Sequence, residues 1–330
     1  MATIQEVAKE ANVSVATVSR YLNNPEVVAS KTRIRVEASI KKLNYEPSLL
    51  GRNLRKLESK LLIVLIPGIS NPFYTEIIDG IEDTAIEQGY NILLCQTDSD
   101  PEREETYFNL MKNKLAAGMI TMDPTVDRDK ITNIASRFPL VQCSEYDETG
   151  IVSYVSIDNK AAAYEAVKHL IDQGHRKIGM VNSDEKFLYA RERKAGFVQA
   201  MNEAGIEAEE KWIYTTKNLE FDSGRNAMWH YLRQDELPTA IFSVSDILAV
   251  GLMNEAQKHN IKVPHDMSVI GFDNIAFANM FNPRLTTIGQ PMYEMGQIAA
   301  KMLIDKINEK DVASSTLKHE LIVRESTRKK

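Results

Sequence analysis

Beyond Leu61 the hydrophobic residues of this chain fall into short runs that alternate with longer amphipathic stretches. Leu61 to Ile66 is followed by Pro72 to Gln88, Asn91 to Cys95 by Glu102 to Lys114, and Gly118 to Thr121 by Asp127 to Arg137, with Leu140 to Cys143 closing the series. After Tyr154 to Ile157 a second series follows, opening with Asn159 to Asp172. It continues through Lys177 to Val181, Ala190 to Ala204, Phe221 to Arg233, Ala240 to Ser243, Ser245 to Lys258 and Ser268 to Phe272. Unbroken apolar runs are what strands covered on both faces show, and strand alternating with helix builds parallel sheets. Two series therefore predict two doubly wound lobes. Ligands in such sheets sit beyond the carboxyl ends of the strands, so two facing lobes enclose one cleft.

Before Leu61 the period is helical. In TIQEVAKEANVSVATVSRYLNN, Thr3 to Asn24, Thr3 and Glu6 have capping-box spacing, and Ile4, Val7, Ala8 and Ala11 form one apolar face. Ser14 is placed to cap a second helix whose Val18 and Leu22 point inward, one turn apart. Its outward face carries Val15, Ala16, Thr17, Ser19 and Arg20. Small residues permit close approach to base edges and thymine methyls; Thr17, Ser19 and Asn23 offer groups for phosphates, and Arg20 can donate two hydrogen bonds to a guanine. An ordinary helical hairpin at the edge of a globular domain fits the same pattern. A third helix, Lys31 to Leu43, places Val36, Ile40 and Leu43 on one side and ends at Tyr45 and Pro47. Ser48 to Leu57 then reads either as a linker or as a helix of about two turns, too short to be stable alone in water.

With 330 residues the chain is too long for one core and calls for two or three domains. The net charge of -6 conceals a division. Residues 1–60 hold 11 Lys and Arg against 6 acids, a surplus of +5, which leaves -11 on the remainder. A basic head on an acidic body suits phosphate-directed binding, because the head is attracted while the body is kept off the backbone. A solvated basic face without a partner is the plainer alternative. The longest apolar run, Leu61 to Pro67, is too short to span a bilayer and no leader pattern opens the chain, so a cytoplasmic protein with no membrane partner is expected. Cys95 and Cys143 have no metal-like spacing and read as buried free thiols.

The head sequence, with the third helix closing on Asn44-Tyr45-Glu46-Pro47, resembles the N-terminus of the lactose/galactose repressor (LacI/GalR) family almost position by position. The family pattern is a valine-alanine pair, a V-S-x-x-T-V-S-R turn and helix, and tyrosine-x-proline. The similarity continues to the C-terminus, leaning toward the cytidine-repressor-like and catabolite-control-like members around Gln290-Pro291-Met292-Tyr293 and Glu320 to Arg328. It implies an all-α helix-turn-helix head (1–46), a hinge (47–60), and an α/β periplasmic-binding-protein-like core (61–330) of two doubly wound parallel-sheet lobes. The first lobe would take about 61–158 and 290–323, including a helix near Tyr293 to Ile307 and a strand near Leu317 to Val323; the second would take about 159–289. It also implies a homodimeric repressor, reading a pseudo-palindromic operator in double-stranded DNA. The DNA contacts would be Thr3, Ser14, Val15, Ala16, Thr17, Ser19, Arg20 and Asn23, with Leu54 and Arg55 in the hinge. Leu54 matches the family's minor-groove wedge. Gly51 stands where most members have alanine, which makes hinge folding more dependent on DNA.

No stretch reads G-x-G-x-x-G, G-x-x-x-x-G-K-[ST], H-E-x-x-H or G-x-S-x-G, so no cofactor, metal or enzyme chemistry is expected. The cleft instead offers loop residues after strands: Phe73 and Tyr74, Arg193, Ser245 and Asp273. Aromatic faces with an arginine and a carboxylate suit a sugar- or nucleoside-like effector. Core packing for Phe73 and Tyr74, a surface ion pair for Arg193 and a loop cap for Asp273 are the plainer readings. By resemblance, the arginine before x-A-G-F and the aspartate of G-[FY]-D are effector contacts and match Arg193 and Asp273. Ser144, Phe187, Tyr189, Leu219 and Ser245 fall at weaker matching positions. Phe187 and Tyr189 replace the polar residues used by the purine repressor, which speaks against a purine effector. Catabolite-control-like members take a phosphorylated carrier protein through a tyrosine matching Tyr293, but an arginine they also use is Lys301 here, which cannot make the same fork.

Overall fold

The computed structural model describes residues 2–45, 59–122 and 128–330, and the chain divides into two compact units, Met1–Ser59 and Lys60–Lys330. In the first, helices α1 (Ile4–Glu10), α2 (Val15–Asn23) and α3 (Ser30–Lys42) pack around Val7, Ala8, Ala11, Val18 and Val36. Thr3 and Glu6 make the reciprocal capping box: Glu6 Oε2 accepts from Thr3 N at 2.7 Å and Thr3 Oγ1 from Glu6 N at 3.3 Å. Asn12, at φ 52°, turns the chain between α1 and α2, and Ser14 Oγ accepts from Thr17 N at 3.1 Å to start α2. Leu54 and Arg55 of the expected hinge lie outside the described residues.

The second unit holds two six-stranded sheets. The first runs in the order β2 (Asn91–Gln96), β1 (Leu61–Ile66), β3 (Gly118–Thr121), β4 (Leu140–Cys143), β5 (Tyr154–Ile157) and β11 (Ser315–Leu317), all parallel. The second runs β7 (Ile213–Thr216), β6 (Ile178–Ser183), β8 (Ala240–Ser243), β9 (Ser268–Asp273), β10 (Thr286–Gly289) and β12 (Glu320–Ile322). The central run LLIVLI shows why both faces must be covered. Leu62, Val64 and Ile66 pack with Phe73, Tyr74 and Ile77 of α4 (Phe73–Glu87), whereas Ile63 and Leu65 pack with Phe108 and Met111 of α5 (Pro101–Lys112).

Three strand assignments differ from the sequence reading. The strand expected near Leu317 to Val323 is two strands: β11 joins the first sheet, but β12 joins the second, antiparallel to β10. The tail therefore crosses to the second lobe, where Ser326 is fully buried and accepts from Thr286 N at 2.8 Å. The strands β7 and β10 were not marked by the apolar pattern: β7 is a half-buried edge, and β10 reads TTIG, with two threonines buried in place of hydrophobic residues. The late helix is α12 (Met292–Ile307), which crosses α4 of the first lobe at glycines. A Cβ at Gly80 would lie 2.1 Å from the Tyr293 carbonyl oxygen, and one at Gly296 2.1 Å from that of Ile77.

Candidate effector cleft and DNA-binding face

In both sheets the chain switches direction beside the second-listed strand, β1 between β2 and β3 and β6 between β7 and β8. The loops that leave the carboxyl ends of these strands face one another, and between them lies a cavity of about 420 Å³. From the first lobe its lining includes Phe73, Tyr74, Ser144 and Glu145; from the second, Phe187, Tyr189, Arg193, Leu219 and Asp273. Ser245 is not part of the lining. It is 1% exposed and lies at the start of α10 (Asp246–Lys258), beside the Asp273 carboxyl.

The aromatic residues serve two purposes. Phe73 and Tyr74 are 6% and 9% exposed and belong to the core of the lobe, yet their edge-to-face pair, 5.2 Å between centroids, also forms part of the wall. Phe187 and Tyr189 open α8 (Leu188–Glu203) with rings almost parallel at 5.6 Å, and Tyr189 donates its hydroxyl hydrogen to Ser183 Oγ at 3.0 Å.

Arg193 is no surface residue: it is 4% exposed, one turn into α8. Its guanidinium lies 3.6 Å from the Phe272 ring centroid and 5.1 Å from that of Tyr189. Nε donates to Asn159 Oδ1 at 2.9 Å and Nη1 to the Val244 carbonyl at 2.5 Å, so the side chain is fixed from both sides. Nη2 makes no hydrogen bond among the described residues. Asp273 Oδ1 is 3.6 Å from Nη1 and accepts from Gln290 Nε2 at 2.7 Å. Burial pushes the Asp273 carboxyl up to about 6, and the Arg193 charge opposes that rise. Together they present a preformed fork of donors and an acceptor between aromatic walls, which is how hydroxylated rings are held.

Glu145 carried no signal in the sequence. It follows β4 of the first lobe, but Oε1 accepts from Leu188 N at 2.5 Å and Oε2 from Tyr189 N at 3.2 Å, capping α8 of the second. The helix has no side-chain cap of its own, and its N-terminal partial charge attracts the carboxylate. Arg191 and Glu148 add an exposed pair at 2.9 Å across the same seam. Asp98-Ser99-Asp100 forms a turn: Asp98 and Ser99 have φ 54° and 52°, and Asp100 caps α5. Cys95 and Cys143 are buried and unpaired, and burial pushes their thiols up to about 11 and about 12.

On the head, α2 turns Val18 into the core and leaves the opposite flank open. Ser14, Val15, Ala16 and Arg20 are exposed, Thr17 and Ser19 half-buried, and Thr3 is exposed at the start of α1; the Asn23 side chain lies outside the described set. Among the described residues no helix is long and apolar enough to cross a membrane, and no group of acidic, cysteine and histidine residues could hold a metal.

Comparison with known proteins follows the same division. Residues 3–48 match the model for bacterial regulatory proteins of the lacI family, and residues 167–327 match a periplasmic binding protein-like domain. The chain is 38% identical over 330 residues to the HTH-type transcriptional repressor CytR of Escherichia coli K12, covering 99% of this chain and 96% of that one. It is 37% identical over 331 residues to catabolite control protein A of Priestia megaterium, covering 99% of each. Among solved structures, the lac repressor dimer bound to operator and the anti-inducer ONPF superimposes with a TM-score of 0.86 at 25% identity, over 99% of both chains. With a helix-turn-helix head on two parallel-sheet lobes and relatives alike over their whole length, the chain belongs to the lacI family of bacterial regulatory proteins and is a DNA-binding transcriptional regulator.

Proposed function

We propose that this regulator is a repressor that binds a pseudo-palindromic operator as a homodimer, working on chromosomal DNA in the cytoplasm, and that a sugar- or nucleoside-like effector in the cleft controls it. The carrying observation is the fixed Arg193 and Asp273 pair between aromatic walls in a cavity of about 420 Å³. One head covers about half a site, so two-fold pairing sets the spacing at roughly one helical turn, about 34–36 Å. Val15, Ala16 and Arg20 would meet base edges, with Thr3, Ser14, Thr17, Ser19 and Asn23 on the backbone. Leu54 and Arg55 of the 47–60 joint would contact the DNA. The effector acts only through its difference in affinity between two lobe arrangements. The names of the relatives support the reading: one is a transcriptional repressor, another a dimer bound to operator and an anti-inducer.

A thermal-shift screen of sugars and nucleosides on the full chain tests the cleft, since a ligand at 100 times its Kd stabilises by about 2.7 kcal/mol. For the head, Arg20→Ala should abolish discrimination between operator and random DNA while leaving non-specific binding largely intact. Equal loss on both in a gel-shift titration would refute Arg20 as a base reader.

The phosphorylated carrier protein is the second reading, and charge weighs against it. Tyr293 is 41% exposed and donates to Asp83 Oδ2 at 2.8 Å; that hydrogen bond, with smaller contributions from the charges of Asp83, Glu87 and Asp79, holds its hydroxyl above the ordinary range. A phosphate arriving there meets carboxylates rather than a fork of donors. Capture of a phosphorylated carrier by the full chain, lost in Tyr293→Ala, would reverse the preference.

A further inference from the structure

We infer that Asp246, which does not line the cavity, is a positioning residue of the cleft: it pins the strained turn that carries the Asp273 carboxylate. The inference rests on the effector reading of that cleft. Asp246 is the first residue of α10 and is fully buried. Three donors converge on its carboxylate: the Thr287 hydroxyl on Oδ1 at 2.6 Å, the Ile275 amide on Oδ2 at 3.0 Å, and the Asn274 amide. In return the Asp246 amide donates to the Asp273 carboxylate. The two aspartates thus hold each other reciprocally, each side chain on the other's backbone segment.

The held segment needs holding. Asp273 and Asn274 have φ 116° and 63°; asparagine tolerates the left-handed region, but the φ of Asp273 is one that residues with side chains rarely adopt. From the far side, Arg324 Nη2 donates to Asn274 Oδ1 at 2.6 Å. Gly271 makes room for the device, because a Cβ there would lie 2.1 Å from Asp246 Oδ1. Only a carboxylate has two acceptor oxygens at this reach; an amide would turn a donor toward Thr287 or the backbone amides. The buried arginine is spent on Asp273, and burial together with the Asp273 charge pushes the Asp246 carboxyl well above its ordinary range. A buried carboxylate that makes no direct ion pair among the described residues is unfavourable even with the Arg324 charge nearby, and what it secures here is the placement of the effector's acceptor.

The test uses the full chain with Asp246→Asn, and Thr287→Val as a milder change should the first not fold. Hydrogen exchange followed by mass spectrometry should show the 274–276 turn exchanging at least 10-fold faster, with β6, β8 and β9 protected as before. Ribose, cellobiose, cytidine and uridine serve as probes. Any that stabilises the parent should bind the variant at least 10-fold more weakly, with the ligand-free melting temperature moved by only a few degrees. A turn that exchanges no faster overturns the inference, as does a loosened turn with unchanged probe affinity. Should no probe bind the parent, the effector reading for these compounds fails, and the exchange result alone decides whether Asp246 pins the turn.

Discussion

Replacing Glu145 by alanine should loosen the seam between the lobes. The carboxylate, 7% exposed, accepts two backbone hydrogen bonds at the start of α8. Charge-assisted bonds contribute roughly 1.5–3 kcal/mol each when the freed group stays dry. Here Glu145 and Tyr189 line a cavity that water can enter, so the loss is closer to that of a helix cap, about 1 kcal/mol, plus a dipole contribution that reaches about 2 kcal/mol when partly buried. A net value of about 2 kcal/mol changes the balance of lobe arrangements by about 30-fold. The neighbouring Arg191–Glu148 pair, with side chains 42% and 55% exposed, should contribute under about 1 kcal/mol, so Arg191→Ala is the control. Spin labels on cysteines introduced at Asn113 and Asn202, exposed positions on opposite lobes, report the distance, because native Cys95 and Cys143 are buried with raised thiols. Pulsed dipolar spectroscopy should give a broadened or displaced distribution for Glu145→Ala and the parent distribution for Arg191→Ala. Identical curves for Glu145→Ala and the parent would show that the cap does not restrain the lobes.

Three further outcomes follow from the same geometry. Gly296→Val forces α4 and α12 apart, because its Cβ would begin 2.1 Å from the Ile77 carbonyl oxygen; a loss of about 1–3 kcal/mol or more should lower the melting temperature by several degrees. The raised Asp273 carboxyl, at about 6, binds its proton more tightly folded than unfolded, so it contributes stability at low pH that is lost as pH rises from about 4 through about 6. Asp273→Asn should remove that loss. Melting curves across this range should fall less steeply for the variant, while Glu255, held down to about 2 by Arg225 and Lys258, contributes equally to both proteins. In a circular-permutation gel assay, Leu54→Ala should reduce operator bending; an unchanged bend would refute the wedge.

The head and the parallel lobes were legible because their signals are local. A capping box needs only Thr3 and Glu6, and a strand buried on both faces announces itself in LLIVLI. Phe73, Tyr74, Arg193 and Asp273 were legible as loop or helix-start residues after strands, although sequence could not decide between wall and core for the two rings, which the structure makes part of both. The strand TTIG was hidden because its threonines are buried by hydrogen bonding to Asp246, Thr327 and Arg324 rather than by apolar packing. Glu145 and Asp246 look like ordinary acids in a loop and at a helix start. What sets them apart is the donors they meet: Leu188 and Tyr189 across the seam for one, Asn274, Ile275 and Thr287 for the other. Such pairings are set by how lobes and strands come together, and a carboxylate is recognisable as functional only once the donors it satisfies are known. The residues that line the cleft were thus readable one at a time, whereas those that hold its shape exist only as pairs brought together by the fold.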